Sequence, residues 1–239
     1  MHATRKPIPE CDLDEYDRSY YERMLAGYRK PIPSSRLRMT WVDRVVRPKQ
    51  GDRILDLGCA IGTVAHFMAS RGAEVTGVDL SPVAIEKARQ VWRDQDNLTF
   101  LRGDASKLDM FEDATFDKVT AADLLEHIPD AVLSDMLREV RRVLRDGGTV
   151  FVYTPNPYHW IELLKAYTPL LKQDPTHIAL RGGRAIIRAL ERHGLRVKQY
   201  PFSPSWLPGL RWIEKLAGVV PGLRALCRYR IVLLAEKRS

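Results

Sequence analysis

The sequence predicts an α/β fold: a doubly wound, seven-stranded and mainly parallel sheet with an antiparallel last strand and a helical insertion. Three observations carry this. Short apolar runs alternate with helical stretches of about ten residues, the pattern of parallel βαβ units with helices on both faces. A glycine-bearing turn closes the first of those runs. After Pro157 the alternation gives way to helices and two final strands.

Taken in order, residues 12–30 are polar and rich in tyrosine, and a break at Pro31 and Pro33 follows. Ser34 or Ser35 then offers an N-cap for a helix through about Val46. Arg53–Leu57 reads as a buried strand ending in Gly58, and a helix from Gly62 to Arg71 follows. Strand Glu74–Val78, helix Pro82–Trp92 and strands Leu98–Arg102 and Phe116–Ala121 continue the series. Helix Ala131–Leu144, a Gly147-Gly148 turn and strand Thr149–Tyr153 complete it. Beyond Pro157, helices over Trp160–Leu171 and Gly183–His193 precede strands Leu195–Phe202 and Arg228–Ala235. If those two strands pair, the sheet ends in an antiparallel hairpin interrupted by a long, lid-like segment with Trp206 and Trp212. The expected organisation is an N-terminal cap (1–50), a core (51–157) and a substrate-side part (158–239) within one domain.

Composition narrows the class. Of 239 residues, 45% are hydrophobic and 28% charged, which excludes a disordered or collagen-like chain. Three scattered cysteines, Cys11, Cys59 and Cys227, form no zinc ribbon or disulfide framework and suit a reducing compartment. The first residues turn acidic where a secretory signal needs an apolar run, and no stretch is long enough for a membrane span, so a cytoplasmic protein is expected. The formal charge of +8 is uneven: residues 158–239 hold 15 basic and 5 acidic side chains, the rest 23 and 25.

The ligand-binding signal begins at Asp56-Leu57-Gly58-Cys59-Ala60-Ile61-Gly62. Glycine serves where backbone turns sharply from strand to helix and a ligand comes close. The sequence lacks the Gly-Lys-Ser/Thr of a Walker A loop, and Ala60 interrupts a GxGxxG fingerprint. Asp56 would repel a pyrophosphate and suits a ligand carrying an ammonium. Asp79, ending the second strand before Leu80, is placed to accept both hydroxyl hydrogens of a ribose. Asp104, in Gly103-Asp104-Ala105 past the third strand, suits an adenine amino group. Together these residues describe a nucleoside with an amino-acid tail.

After the fourth strand comes Ala122-Asp123-Leu124-Leu125-Glu126-His127. Asp123 and Glu126 have the spacing of a capping box. His127 is a general-base candidate, since an imidazole titrates near neutrality. Asp123, Glu126 and His127 also stand at i, i+3 and i+4, one face of a helix, where they would hold Mg²⁺ or Zn²⁺.

From about Arg53 to Tyr153 this ordered set resembles the class I S-adenosylmethionine-dependent methyltransferases, including the type 11 and ubiquinone-biosynthesis O-methyltransferases. Val143-Leu144-Arg145-Asp146-Gly147-Gly148 looks like the family's entry to the fifth strand. The resemblance implies a Rossmann-like fold and S-adenosylmethionine as cofactor. It places Gly58 and Gly62 under the methionine part and Asp79 on the ribose. Cys59, Leu80, Ala105 and Ala122 then fall within the cofactor segments. It also implies an arginine for the cofactor carboxylate, Arg36 or Arg38, in Pro33-Ser34-Ser35-Arg36-Leu37-Arg38. The quinone enzymes carry Glu in place of Asp123, and related metal-dependent RNA 2′-O-methyltransferases add a later histidine, for which His177 is the match. Pro155-Asn156-Pro157-Tyr158 resembles the box of amino-directed methyltransferases but follows the fifth strand, not the fourth, and reads as a substrate-side loop.

The implied activity is O-methylation of a small-molecule or lipid-like acceptor. The tryptophans and cations of the last third suit peripheral contact with an anionic membrane. Nucleic acid is the competing partner, but the basic residues alternate with large apolar ones instead of clustering. A binding protein that has lost catalysis is a third reading, and the intact acids at 56, 79 and 104 argue against it.

Overall fold

A computed structural model describes residues 18–30, 32–167, 174, 176–207 and 209–238. Its seven strands are β1 (Arg53–Leu57), β2 (Glu74–Asp79), β3 (Leu98–Arg102), β4 (Phe116–Ala122), β5 (Leu144–Pro155), β6 (Leu195–Gln199) and β7 (Arg230–Lys237). They lie in the order β3-β2-β1-β4-β5-β7-β6. Neighbours pair in parallel from β3 through β5, while β7 runs antiparallel to both β5 and β6. This is the doubly wound sheet with a reversed last strand that the alternating pattern predicts. Ile54, Leu55 and Leu57 of β1 are fully buried, as expected of a central strand covered on both faces.

Helices α3 (Thr63–Ala69) and α4 (Pro82–Val91) pack one face together with a π-helical turn over Val42–Val46. Helices α5 (Asp130–Val143) and α7 (Gly183–Arg192) pack the other. The remaining helices are α1 (Arg18–Arg29), α2 (Pro33–Trp41), α6 (Trp160–Tyr167), α8 (Leu210–Ala217) and α9 (Arg224–Cys227).

Two local expectations change, and two others run past the described residues. Neither Ser34 nor Ser35 caps α2: Ile32 is its extended N-cap and Pro33 its first residue, since proline is pre-organised there and has no N–H to satisfy. The strand expected to start at Thr149 starts at Leu144, so Gly147-Gly148 lies within the extended segment. The helix expected over Trp160–Leu171 is described to Tyr167, and residues 168–171 lie outside the described ones. The N-terminal cap is likewise described only from Arg18. Cys59 and Cys227 are both free and buried, and Cys11 is outside the described residues.

Candidate active site

The C-terminal ends of β1, β2 and β4, the turns after them and the start of β7 line a cleft of about 640 Å³. Parallel sheets bind ligands at this edge. At the end of β1 the chain turns at Gly58, whose φ is +65°; a side chain there would meet Leu124 Cδ1 at 2.6 Å. Ala60 also takes a positive φ, +47°. Its N–H donates to Asp79 Oδ2 at 2.8 Å, and the Ser81 N–H donates to Asp79 Oδ1 at 2.9 Å. Asp79 therefore ties the first two turns together while each carboxylate oxygen keeps lone pairs for a ligand. Burial raises its pKa, opposed by those two N–H bonds.

Asp56 is buried at the base of the cleft. Its Oδ1 accepts from Thr120 Oγ1 at 2.6 Å, whereas Oδ2 is buried without a hydrogen-bond partner. Burial pushes its pKa up to about 7 against the Thr120 bond. Beside it Asp123, at φ +52°, accepts from Arg38 Nη1 at 2.9 Å and Arg230 Nη1 at 3.2 Å. The Nε atoms of both arginines are buried and unpaired. One end of the cleft thus offers an orphan carboxylate oxygen and two orphan guanidinium N–H groups, complementary to the ammonium and carboxylate of a free amino acid.

Against the sequence expectations, Arg38, Asp56, Gly58, Cys59, Asp79, Leu80, Asp104, Ala105, Ala122, Asp123, Glu126 and His127 all line this cleft. Arg36 does not: it is exposed on the far side of α2, because two residues along a helix turn the side chain to the opposite face. Gly62 does not either. Its φ of +76° starts α3, and a side chain there would strike the Phe100 ring, so this glycine serves the turn and the packing. Asp104 is exposed, with Oδ1 accepting from Ser106 N and Oγ at 2.8 Å each.

The expected helical face of Asp123, Glu126 and His127 is absent. Leu125–His127 form a single 3₁₀ turn capped by Leu124, and α5 begins only at Asp130. Pro129 disfavours helical backbone at Ile128 and so separates the two. Asp123 is neither the N-cap nor part of a metal-ligand group; the two arginines hold it. The group of potential ligands is instead Glu126, His127 and His177, whose ligand atoms lie within 4.8 Å of one another. Glu126 is buried, with Oε2 accepting from Thr154 Oγ1 at 2.8 Å. Burial, then the Asp123 charge, pushes its pKa up to about 8. His127 Nδ1 lies 2.9 Å from the Thr176 carbonyl oxygen. A carbonyl only accepts, so Nδ1 carries the hydrogen and the neutral ring keeps its lone pair on Nε2. His177 Nδ1 is buried and unpaired, and burial lowers the ring's pKa.

Sequence reasoning missed Arg230. It begins β7, 107 residues from the Asp123 it bonds, and only the placement of β7 beside β5 brings the two together. The apolar wall of the cleft, Ile128, Pro129, Val132 and Ile178, was also not singled out. The inserted segment was expected as a lid, but among the described residues none from 179 to 229 lines the cleft.

This fold and the polar base of its cleft suit a nucleoside ligand that carries an amino-acid tail. In comparison with known proteins, residues 54–148 match the family described as a methyltransferase domain. The ubiquinone biosynthesis O-methyltransferase of Paracidovorax citrulli is 34% identical over 122 residues, 50% of this chain and 50% of that protein. Its counterpart from Alkalilimnicola ehrlichii is 35% identical over 159 residues, 64% of this chain and 63% of that one. The chain thus spans between half and two thirds of the length of these curated relatives. Among solved structures, a SAM-dependent methyltransferase from Archaeoglobus fulgidus aligns with TM-score 0.68 at 20% identity, over 91% of this chain and 100% of that one. The [4+2]-cyclase SpnF aligns with TM-score 0.62 at 22% identity, over 85% and 81%. These structures share the fold, and the cyclase among them shows that the fold alone does not fix the reaction.

The orphan atoms at the cleft base would fit the ammonium and carboxylate of S-adenosylmethionine, and Asp56 makes that fit pH-dependent. A protonated Asp56 must lose its proton before it pairs with the cofactor's ammonium. With a pKa of about 7, affinity is expected to rise about fivefold between about pH 6 and about pH 7. Calorimetry at the two pH values checks this, and Asp56→Asn should flatten the dependence.

Proposed function

We propose that the protein transfers the methyl group of S-adenosylmethionine to an oxygen of a small-molecule or lipid-like acceptor. The observation that carries this is the meeting, in one cleft, of an amino-acid-binding base with Glu126, His127 and His177 beside an apolar wall. The name of the curated relatives, ubiquinone biosynthesis O-methyltransferase, supports an oxygen acceptor.

Asp79 holds the ribose, and Asp56 with Arg38 and Arg230 orients the amino-acid end, so that the sulfonium methyl is presented in line to the acceptor. Ile128, Pro129, Val132 and Ile178 hold an apolar acceptor against that position and displace water. The acceptor oxygen takes the methyl carbon, the carbon–sulfur bond breaks with its electron pair left on sulfur, and the hydroxyl proton passes to His127 Nε2 or, where that nitrogen holds a cation, to water. Most of the rate comes from this positioning.

Glu126, His127 and His177 are the residues that would hold a divalent cation, and two imidazoles with one carboxylate suit Zn²⁺ better than the all-oxygen preference of Mg²⁺. Such an ion would lower the pKa of the acceptor hydroxyl. His177 Nε2 lies 3.9 Å from Asp174 Oδ2, within ion-pair but not hydrogen-bond reach.

The test is transfer from labelled cofactor to lipid, small-molecule and RNA fractions of a cell extract. Label in the lipid or small-molecule fraction is expected; label in RNA alone would refute the acceptor class. Prior treatment with EDTA should lower transfer at least about tenfold, with restoration by Zn²⁺. His177→Ala should do the same. If neither changes the rate, the cation has no part and His127 acts alone as base.

A further inference from the structure

Helix α8 (Leu210–Ala217) is built inside out. Its single carboxylate, Glu214, faces the protein and is 3% exposed. Trp160 Nε1 donates to Oε1 at 2.8 Å, His159 Nε2 lies 3.1 Å from the same oxygen, and the Ser205 N–H donates to Oε2 at 2.5 Å. The Ile161 N–H donates to His159 Nδ1 at 3.2 Å, so Nε2 carries the ring hydrogen and donates to Glu214. Three donors on one buried carboxylate fix the helix in place.

The outward face is apolar. Trp212 is 69% exposed, Ile213 62% and Leu216 73%; the turn that follows adds Val219 at 78% and Val220 at 50%. A helix on a water-facing surface normally buries such a stripe and shows its acids. Here the acid is buried and the stripe shown, on a segment that a hydrogen-bonded network holds firmly. A contiguous apolar patch of this kind marks a contact surface.

Charge selects the occupant. Between residues 206 and 227 the only acid is the buried Glu214. The cations Arg211, Lys215 and Arg224 are exposed, and Lys215 Nζ lies 4.9 Å from the centre of the Trp212 ring. A second copy meeting this face by two-fold symmetry would set cations against cations. A bilayer containing anionic phospholipid offers an apolar interior for the stripe and negative head groups for the three cations.

The segment also sits where such contact has a use. It leaves the sheet after Gln199 of β6 and returns at Arg230 of β7, beside Pro155 at the end of β5. That is the sheet edge that carries the cleft.

We propose that the outward face of α8 and the turn after it dock on an anionic phospholipid bilayer, holding the cleft edge of the sheet at the membrane. This goes beyond the methyl-transfer reading and does not depend on it, because the readout is sedimentation. The full chain is spun with vesicles of phosphatidylcholine alone and of phosphatidylcholine mixed with phosphatidylglycerol. Sedimentation with the mixed vesicles and not the neutral ones is expected, weakening as salt rises. Trp212→Ser with Leu216→Ser should reduce the bound fraction at least about tenfold. Arg211→Glu with Lys215→Glu should reduce it by a similar factor and remove the salt dependence. All four side chains point into solvent, so both variants should bind S-adenosylmethionine as the parent does. Failure to sediment with mixed vesicles overturns the proposal, whether the chain then self-associates or binds RNA instead. Sedimentation that survives both double variants overturns it too, by placing the contact elsewhere.

Discussion

Replacing His127 with alanine is expected to slow methyl transfer by about 10²- to 10⁴-fold, whether its Nε2 holds the cation or takes the hydroxyl proton. S-adenosylmethionine affinity should stay within about twofold, because the amino-acid end is held by other residues. The imidazole is held by the Thr176 carbonyl at Nδ1, which fixes the tautomer and puts the lone pair on Nε2. His127→Asn, which keeps a donor near Thr176 and removes the second nitrogen, should be nearly as slow as the alanine variant. Single-turnover transfer measured beside calorimetric cofactor binding separates the two effects. A normal rate in either variant would exclude His127 from the reaction.

Asp79→Ala is expected to weaken S-adenosylmethionine binding by about 10²- to 10⁴-fold. The carboxylate would lose two charge-assisted hydrogen bonds to ribose hydroxyls, each worth roughly 1.5–3 kcal/mol. It would also strand the Ala60 and Ser81 N–H groups that it now accepts. Asp79→Asn keeps one acceptor oxygen and should fall between. Asp104→Ala is the contrast: that side chain is exposed, and its loss should cost only about threefold. Equal losses at 79 and 104 would mean that the ribose is not held at the end of β2.

Much of this architecture is legible in the sequence because its determinants are local. A strand such as Ile54-Leu55-Asp56-Leu57, buried on both faces, reads as a short apolar run whatever surrounds it. The acids at 56, 79 and 104 stand at or just past the ends of strands, so their order along the chain already places them at one edge. What the sequence conceals depends on backbone breaks or on distant partners. The i, i+3, i+4 spacing of Asp123, Glu126 and His127 suggests a helix, but Pro129 confines it to one 3₁₀ turn and leaves Asp123 outside. Arg36 and Arg38 have similar surroundings in sequence and lie on opposite sides of α2 in space. His177 is suggested only by family resemblance, since nothing within its own segment indicates that it meets His127. The basic excess of the last third is a matter of counting, whereas the burial of Glu214 that turns α8 outward requires His159, Trp160 and Ser205 from outside the helix.

The Arg38–Asp123–Arg230 contact has a bearing on how the enzyme matures during synthesis. β7 leaves the ribosome after every other strand, yet it is inserted between β5 and β6, so β6 has no place in the sheet until β7 arrives. Arg230 comes with it. A nascent chain that has already formed β1 through β5 therefore owns Asp79 and the glycine turn but lacks one of the two cations around Asp123. On the proposed reading, the pocket for the amino-acid end is completed late, with the step that completes the sheet.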